Sequence, residues 1–325
     1  MIVRIKNNLK SAMRYCFAVL FFAFTIQESQ SQEFKKTATA GFVFLEIPAT
    51  ARTAALGEAS LALSDVNSAA VFSNPAALGF TQQFQSLTVS YAPWIADIKN
   101  YASSYSLKTD YGVFGVGLVA LDYGTISRTI VASGQKVYEV VGTFKANSSS
   151  YGFSYSRMLT DHFAFGTTVK YVQETIDVYT ASNVLFDGGV LYYTGLGNLR
   201  IAATIRNFGV NAKFINDEFK MPSVLKLGIA TEVYEDSDSE IRVTAIAEAL
   251  HPNNNNEKVN IGTEVAWKNI LILRGGYKFF YDEETYSLGF GLNPQMTLPM
   301  CLDFSYSNYG RLGNISRLTI QLGLN

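Results

Sequence analysis

Val259-Asn260-Ile261-Gly262-Thr263-Glu264-Val265-Ala266-Trp267-Lys268-Asn269-Ile270-Leu271-Ile272-Leu273-Arg274-Gly275-Gly276-Tyr277-Lys278-Phe279-Phe280 alternates apolar and polar residues in two arms that break at Trp267-Lys268-Asn269. Successive side chains of a strand face opposite sides. Val259, Ile261, Thr263, Val265 and Trp267 therefore share one face, with Asn260, Gly262, Glu264 and Ala266 behind them. In the second arm Leu271, Leu273, Gly275, Tyr277 and Phe279 oppose Ile272, Arg274, Gly276, Lys278 and Phe280. Arms of about ten residues, apolar on one side and polar on the other, are the pattern of a transmembrane β-barrel.

The same pattern extends outward in both directions. From Phe84 onward it predicts fourteen strands, near 84–92, 99–109, 111–122, 147–159, 162–176, 183–195, 199–207, 223–234, 240–250, 258–267, 269–280, 285–293, 299–307 and 316–324. An even count suits a single-chain bacterial barrel, because it returns both ends of the sheet to one side of the membrane. The connections alternate between short and long, which fits tight periplasmic turns and longer outward loops. Two outward loops, 122–146 and 207–222, are long enough to fold over the mouth.

The ends and the composition agree with an exported barrel. Residues 1–31 read as a signal peptide, with Arg4, Lys6, Lys10 and Arg14 before a short apolar core at 15–26 and small residues at Ser29 and Ser31. Removing that segment leaves 22 basic and 26 acidic residues, a net charge of −4, which gives nucleic-acid binding no electrostatic support. Cys16 falls inside the signal peptide, so Cys301 is left alone and no intrachain disulfide can form. Charged residues make up only 16% of the chain and aromatics 14%, yet no apolar run of about 18 residues follows the signal. If the chain crosses a membrane, closed strands must carry it.

Register places a set of charges on the inward face: Lys170, Asp187, Arg200, Arg206, Lys226, Glu232, Arg242, Glu248, Glu264, Arg274, Lys278 and Asp303. Charges of mixed sign this close would pair with one another or with a plug, since an unpaired buried charge is costly. They would form either a stiffening ion-pair network or a selective conduction path. Residues 32–83 differ from the barrel at 84–325, with Thr, Ala and Gly in place of alternation and a short helix over 49–57 ended by Gly57. Their apolar content places them inside the barrel or under its periplasmic mouth, as a plug.

Two runs of the plug segment carry a family resemblance. The first is Phe42-Val43-Phe44-Leu45-Glu46-Ile47-Pro48-Ala49-Thr50-Ala51-Arg52-Thr53-Ala54-Ala55-Leu56-Gly57-Glu58-Ala59, and the second is Asn74-Pro75-Ala76-Ala77-Leu78-Gly79. They resemble the opening of the PorV/PorQ family, outer-membrane proteins of the Bacteroidetes type IX secretion system related to FadL-type fatty-acid transporters. Ser90-Tyr91-Ala92-Pro93-Trp94-Ile95 and Leu273-Arg274-Gly275-Gly276-Tyr277-Lys278-Phe279 are similar to that family's first strand and loop and to a late strand. The Asn-Pro-Ala element is shared with the wider FadL-like group. Asn74 is suited to cap a short helix with Pro75 at its first position, and Arg52 to anchor the plug to an acidic lumen residue.

No sequence pattern points to catalysis. The chain has no Gly-x-Ser-x-Gly, His-Glu-x-x-His, Cys-x-x-Cys or Gly-Lys-Ser/Thr pattern. His162 and His251 fall in connections, and the acidic cluster Glu235, Asp236, Asp238 and Glu240 lacks calcium-loop spacing. No cofactor or metal is implied. The resemblance implies a non-enzymatic outer-membrane component of type IX secretion, either a shuttle for cargo or an anchor for surface partners. Its partners would be translocon and attachment-complex proteins, or cargo bearing C-terminal signal domains, with outer-membrane lipid around the wall. Pro93, Trp94 and Ile95 are the contact candidates, because an exposed aromatic beside Pro is an efficient anchor; an aromatic girdle is the other reading of Trp94. The alternative function is FadL-like uptake of long-chain fatty acids or other hydrophobic molecules, which would need an apolar path and a displaceable plug.

Overall fold

The structure, a computed structural model, describes residues 39–131, 137–236, 238, 240–294 and 299–324. The signal-peptide reading lies outside the described residues. Fourteen antiparallel strands close into a barrel: β1 (Gln85–Pro93), β2 (Lys99–Thr109), β3 (Gly112–Val131), β4 (Tyr138–Thr160), β5 (Phe163–Ile176), β6 (Tyr179–Tyr193), β7 (Arg200–Phe208), β10 (Val224–Asp236), β11 (Ile241–Pro252), β12 (Lys258–Trp267), β13 (Leu271–Phe279), β14 (Tyr286–Leu292), β15 (Met300–Asn308) and β16 (Asn314–Leu324). A separate two-stranded hairpin, β8 (Ala212–Phe214) and β9 (Asp217–Phe219), fills the β7–β10 connection. Pairing of β1 with β16 closes the sheet, so no edge is left unpaired.

The fold class expected from the alternation is the one observed. Its physical basis is visible along β1, where Leu87, Val89 and Tyr91 are exposed on the outside while Ser86, Thr88 and Ser90 are buried inside. Leu225, Leu227 and Ile229 on β10, Leu273 and Tyr277 on β13, and Leu318 and Ile320 on β16 continue the apolar exterior. Such a surface is stable against lipid rather than water. The quoted hairpin pairs Glu264 with Arg274 and Val265 with Leu273, and Lys268 and Asn269 turn it with φ of 54° and 53°. Two consecutive left-handed residues match the twist of the flanking strands.

One loop differs from expectation. Residues 122–131 and 137–146 do not fold over the mouth; β3 and β4 run on as a paired ribbon from Thr125↔Lys145 to Val131↔Tyr138, with register shifts at Asp122/Thr125 and Arg128/Thr129. The cause is local composition, since Thr125, Ile126, Thr129, Ile130, Val131, Val140 and Val141 favour strand. Both faces of the ribbon are exposed, so the one-sided alternation that marks the wall is missing there. The 207–222 connection does turn inward. Ala40 forms a parallel bridge with Lys220, and the Phe42 and Phe219 rings meet edge-on at 5.3 Å.

Candidate functional site

The segment before β1 threads the barrel from the loop end, at Ala40, to the tight-turn end, where Phe84 accepts a backbone hydrogen bond from Lys108. It contains one short α-helix, α1 (Ala51–Ala55), and 3₁₀ turns at Val43–Glu46, Asn67–Phe72 and Pro75–Phe80. Thr50 caps α1 by accepting from the Thr53 N–H. Leu56, Ala59, Leu61, Ala62, Ala70 and Leu78 are buried against the wall and form the main apolar cluster of the lumen.

Along β10–β15 charge is added to the packing that holds the plug. The Arg52 Nε donates to Glu264 Oε2 at 3.0 Å, and its Nη2 donates to Glu264 Oε1 at 3.1 Å and to Asp65 Oδ1 at 2.9 Å. Glu264 also accepts from Arg274 Nε at 2.7 Å, and Arg274 Nη1 donates to Asp303 at 2.6 Å. Higher in the lumen Lys278 bonds Glu58 of the plug at 2.5 Å and also contacts Glu284. Glu248 accepts from the Ser60 and Leu61 backbone N–H groups, at 3.2 Å each, and from Lys226 at 2.9 Å. The plug carboxyls respond to these partners. Burial pushes the Glu58 carboxyl up, but Lys278 and Lys226 outweigh that and hold it below the usual carboxylate range.

Along β3–β6 the plug is held by shape. Gly166 of β5 gives Pro75 its seat, since a Cβ there would lie 2.3 Å from the Pro75 carbonyl carbon. Asn74 is fully buried; its Oδ1 accepts from the Ala76 N–H at 3.0 Å, and its Nδ2 donates to Leu61 O at 3.1 Å and Val190 O at 3.2 Å. Pro75 opens the turn Pro75–Phe80, where its missing N–H costs nothing. Gly57 has φ 62° and lies against Gly276 of β13, where a Cβ would lie 2.1 Å from the Gly57 nitrogen. Glycines in the wall therefore carry positional information about the plug. The sequence shows them only as polar-face residues.

The remaining site residues fall as follows. Lys170 pairs with Asp187 at 2.8 Å, and Arg206 reaches Asp187 at 3.8 Å. Arg200 pairs with Glu232 at 2.7 Å, while Arg242 is half-buried and its Nε has no protein acceptor among the described residues. Pro93 is exposed at the end of β1, but Trp94 and Ile95 do not project as free anchors. Both are half-buried, and the Trp94 ring packs against Tyr309 at 5.2 Å over the buried guanidinium of Arg317. His162 is exposed, as is His251, which contacts Glu257 at 3.0 Å. Among the described residues no His, Cys, Asp and Glu group could hold a metal ion.

Residues 44–49 of the plug divide two cavities. One is bounded by the β3–β5 wall, holds about 460 Å³ counting its opening, and is lined by Phe44, Leu45, Ile47, Val71, Phe72 and Val119, with Lys170 and Arg206 also on its lining. The other, about 900 Å³ with its opening, is polar, with Glu46, Glu58, Lys226, Lys258 and Glu284 in its lining.

No family model matches this chain, and no curated protein is similar to it. Solved structures share its fold. The Ralstonia pickettii toluene transporter TbuX superposes with a TM-score of 0.60 at 15% identity, over 85% of this chain and 98% of that one. The Pseudomonas putida toluene transporter TodX gives 0.56 at 15% identity, over 84% and 96%. The chain is thus a closed fourteen-stranded transmembrane barrel with the fold of these transporters and an internal plug.

Proposed function

We propose that this protein sits in the outer membrane and admits small hydrophobic molecules past its plug. The observation that carries this reading is the largely apolar lining of the cavity between residues 44–49 and the β3–β5 wall, with Phe44, Leu45, Ile47, Val71, Phe72 and Val119 facing it. It lies beside the part of the plug held by shape alone, where a guest displaces packing without breaking an ion pair between plug and wall. The fold shared with two toluene transporters supports the same direction. The test is uptake of radiolabelled toluene by cells that lack their own hydrocarbon channels. Cells carrying the protein take it up several-fold faster than cells without it, and Val119→Trp, which fills the cavity from the wall, returns uptake to background in a barrel that still folds. Equal uptake with and without the protein overturns the proposal.

A second reading rests on a separate observation. The β3–β4 ribbon continues past its neighbours with Ile130, Val131, Tyr138 and Val140 exposed, a surface of the kind proteins recognise. Together with the PorV/PorQ resemblance of 42–59 and 74–79, it supports a role in type IX secretion. The tagged protein, purified from gently solubilised outer membranes, then brings down translocon or attachment-complex proteins, or cargo with C-terminal signal domains. A barrel recovered with lipid alone removes this reading.

A further inference from the structure

One rung of the barrel ladder runs Glu264, Arg274, Gly289, Ser305 and Arg317 through directly paired positions of β12 to β16. One step past the last paired position of β16 and β1, Ala92 faces Arg317, and Ala92 pairs with Asn100 of β2. At the Arg274 end every charge has a partner. At the Arg317 end none does: the Arg317 Nε, Nη1 and Nη2, both polar atoms of the Asn100 carboxamide and the Ser305 hydroxyl have no protein partner among the described residues. These residues are enclosed, with Arg317 2%, Asn100 1% and Ser305 0% exposed. Every other fully buried cation described, Lys170, Arg200, Arg274 and Lys278, faces a carboxylate within 4 Å.

The roof over Arg317 is also unusual. Trp94 lies 5.9 Å from the guanidinium carbon, packed with Ala92, Tyr309 and Ile315, and the loop behind it holds Ala96 and Asp97 at φ 57° and 61°. These two residues are the centre of the β1–β2 hairpin turn, closed by the Ile98 N–H donating to Ile95 O at 3.4 Å, and the turn fixes the segment that carries Trp94. Glu58, the carboxylate that acts on Arg317, is itself paired with Lys278 and stays beyond ion-pair distance of the guanidinium; a buried guanidinium without a contacting counter-charge is costly, and a neutral water does not supply one.

We propose that Arg317, Asn100 and Ser305 form an enclosed halide site beneath the Trp94 loop. Register sets Asn100, Ala92, Arg317 and Ser305 side by side on the inward face of β2, β1, β16 and β15, with only the Ala92 methyl between Asn100 and Arg317, and a spherical anion accepts from such donors without needing planar geometry. A larger oxyanion would have to lift Trp94. The bound anion supplies the charge that Glu264 and Asp303 supply at the other end of the rung, and it holds the 94–98 loop down.

The protein has two tryptophans, so Trp267→Phe leaves Trp94 as the reporter in the full-length barrel in detergent micelles. Replacing gluconate by bromide at constant ionic strength quenches Trp94 saturably, and chloride raises the thermal midpoint over gluconate; Arg317→Gln removes both effects. If that variant does not fold, Asn100→Leu weakens bromide binding about tenfold through the lost donor. Purely linear quenching with equal midpoints in chloride and gluconate overturns the proposal in favour of water. Displacement of bromide by acetate, with greater stabilisation than chloride gives, overturns it in favour of a carboxylate.

Discussion

Both sides of the lumen seat the plug by close packing, but only one adds charge to it. Along β12–β15, Arg52 and Glu58 join charges of the wall, so attachment is directional and each partner has a named counter-charge. Along β3–β6, Asn74, Pro75 and Ala76 lie against Gly166, Gly189 and Ser156, with hydroxyl, carboxamide and close backbone contacts and no ion pair to the plug among the described residues. The Arg52–Glu264 contact works only as a complete set, because removing one partner of a buried pair leaves the other charged and unsatisfied. The β5 face works only while the wall leaves room. The apolar cavity lies on the side where no ion pair ties the plug to the wall among the described residues.

The largest effect belongs to the charged side. Arg274→Met strands Asp303 and leaves Glu264 with Arg52 alone; the expected loss is about 3–5 kcal/mol, read as a lower denaturant midpoint in micelles. A loss no greater than that of a surface substitution would break the contrast between the sides. Gly166→Val comes next, since its side chain collides with Pro75 and overpacking costs about 1–3 kcal/mol. It unseats the plug from β5, so ion conductance in a planar bilayer rises above wild type, whereas Arg274→Met mainly lowers stability. Unchanged conductance would mean that shape is not what holds this side.

The smallest effect is the pH response of Asp65. The surrounding lumen wall raises its carboxyl, but Arg52, with Arg242 and Arg200 behind it, overrides this and holds it at about 2. A depressed carboxyl adds stability above its unfolded value of about 3.9 and loses that contribution as pH falls through the folded value. The side chain is 55% exposed, so water screens the pair. Wild type therefore loses slightly more stability than Asp65→Asn between pH 4 and pH 2, measured as the difference between their unfolding midpoints. Parallel curves would show that Arg52 is held by Glu264 alone.

The pattern of residues along the chain was enough to determine the barrel, the strand count and the inward faces, because strand periodicity is a local property of the backbone. Arg52 was legible as an anchor to an acidic residue, and Asn74-Pro75 as a capped turn, since both depend on residue type and near neighbours. The β3–β4 ribbon leaves no mark in the sequence, because neither of its faces is buried and no alternation results. Arg317 also carried a signal: it alternates with Leu318 and Ile320, which places it inward, but nothing local shows that it lacks a counter-charge. Only the tertiary structure decided that Arg52 meets Glu264, that Gly166 and Gly276 are seats for the plug, and that Trp94 covers Arg317. Those partners are up to 223 positions apart in the sequence, and they meet only after closure and strand stagger have set the lumen's shape and the plug has been threaded through it.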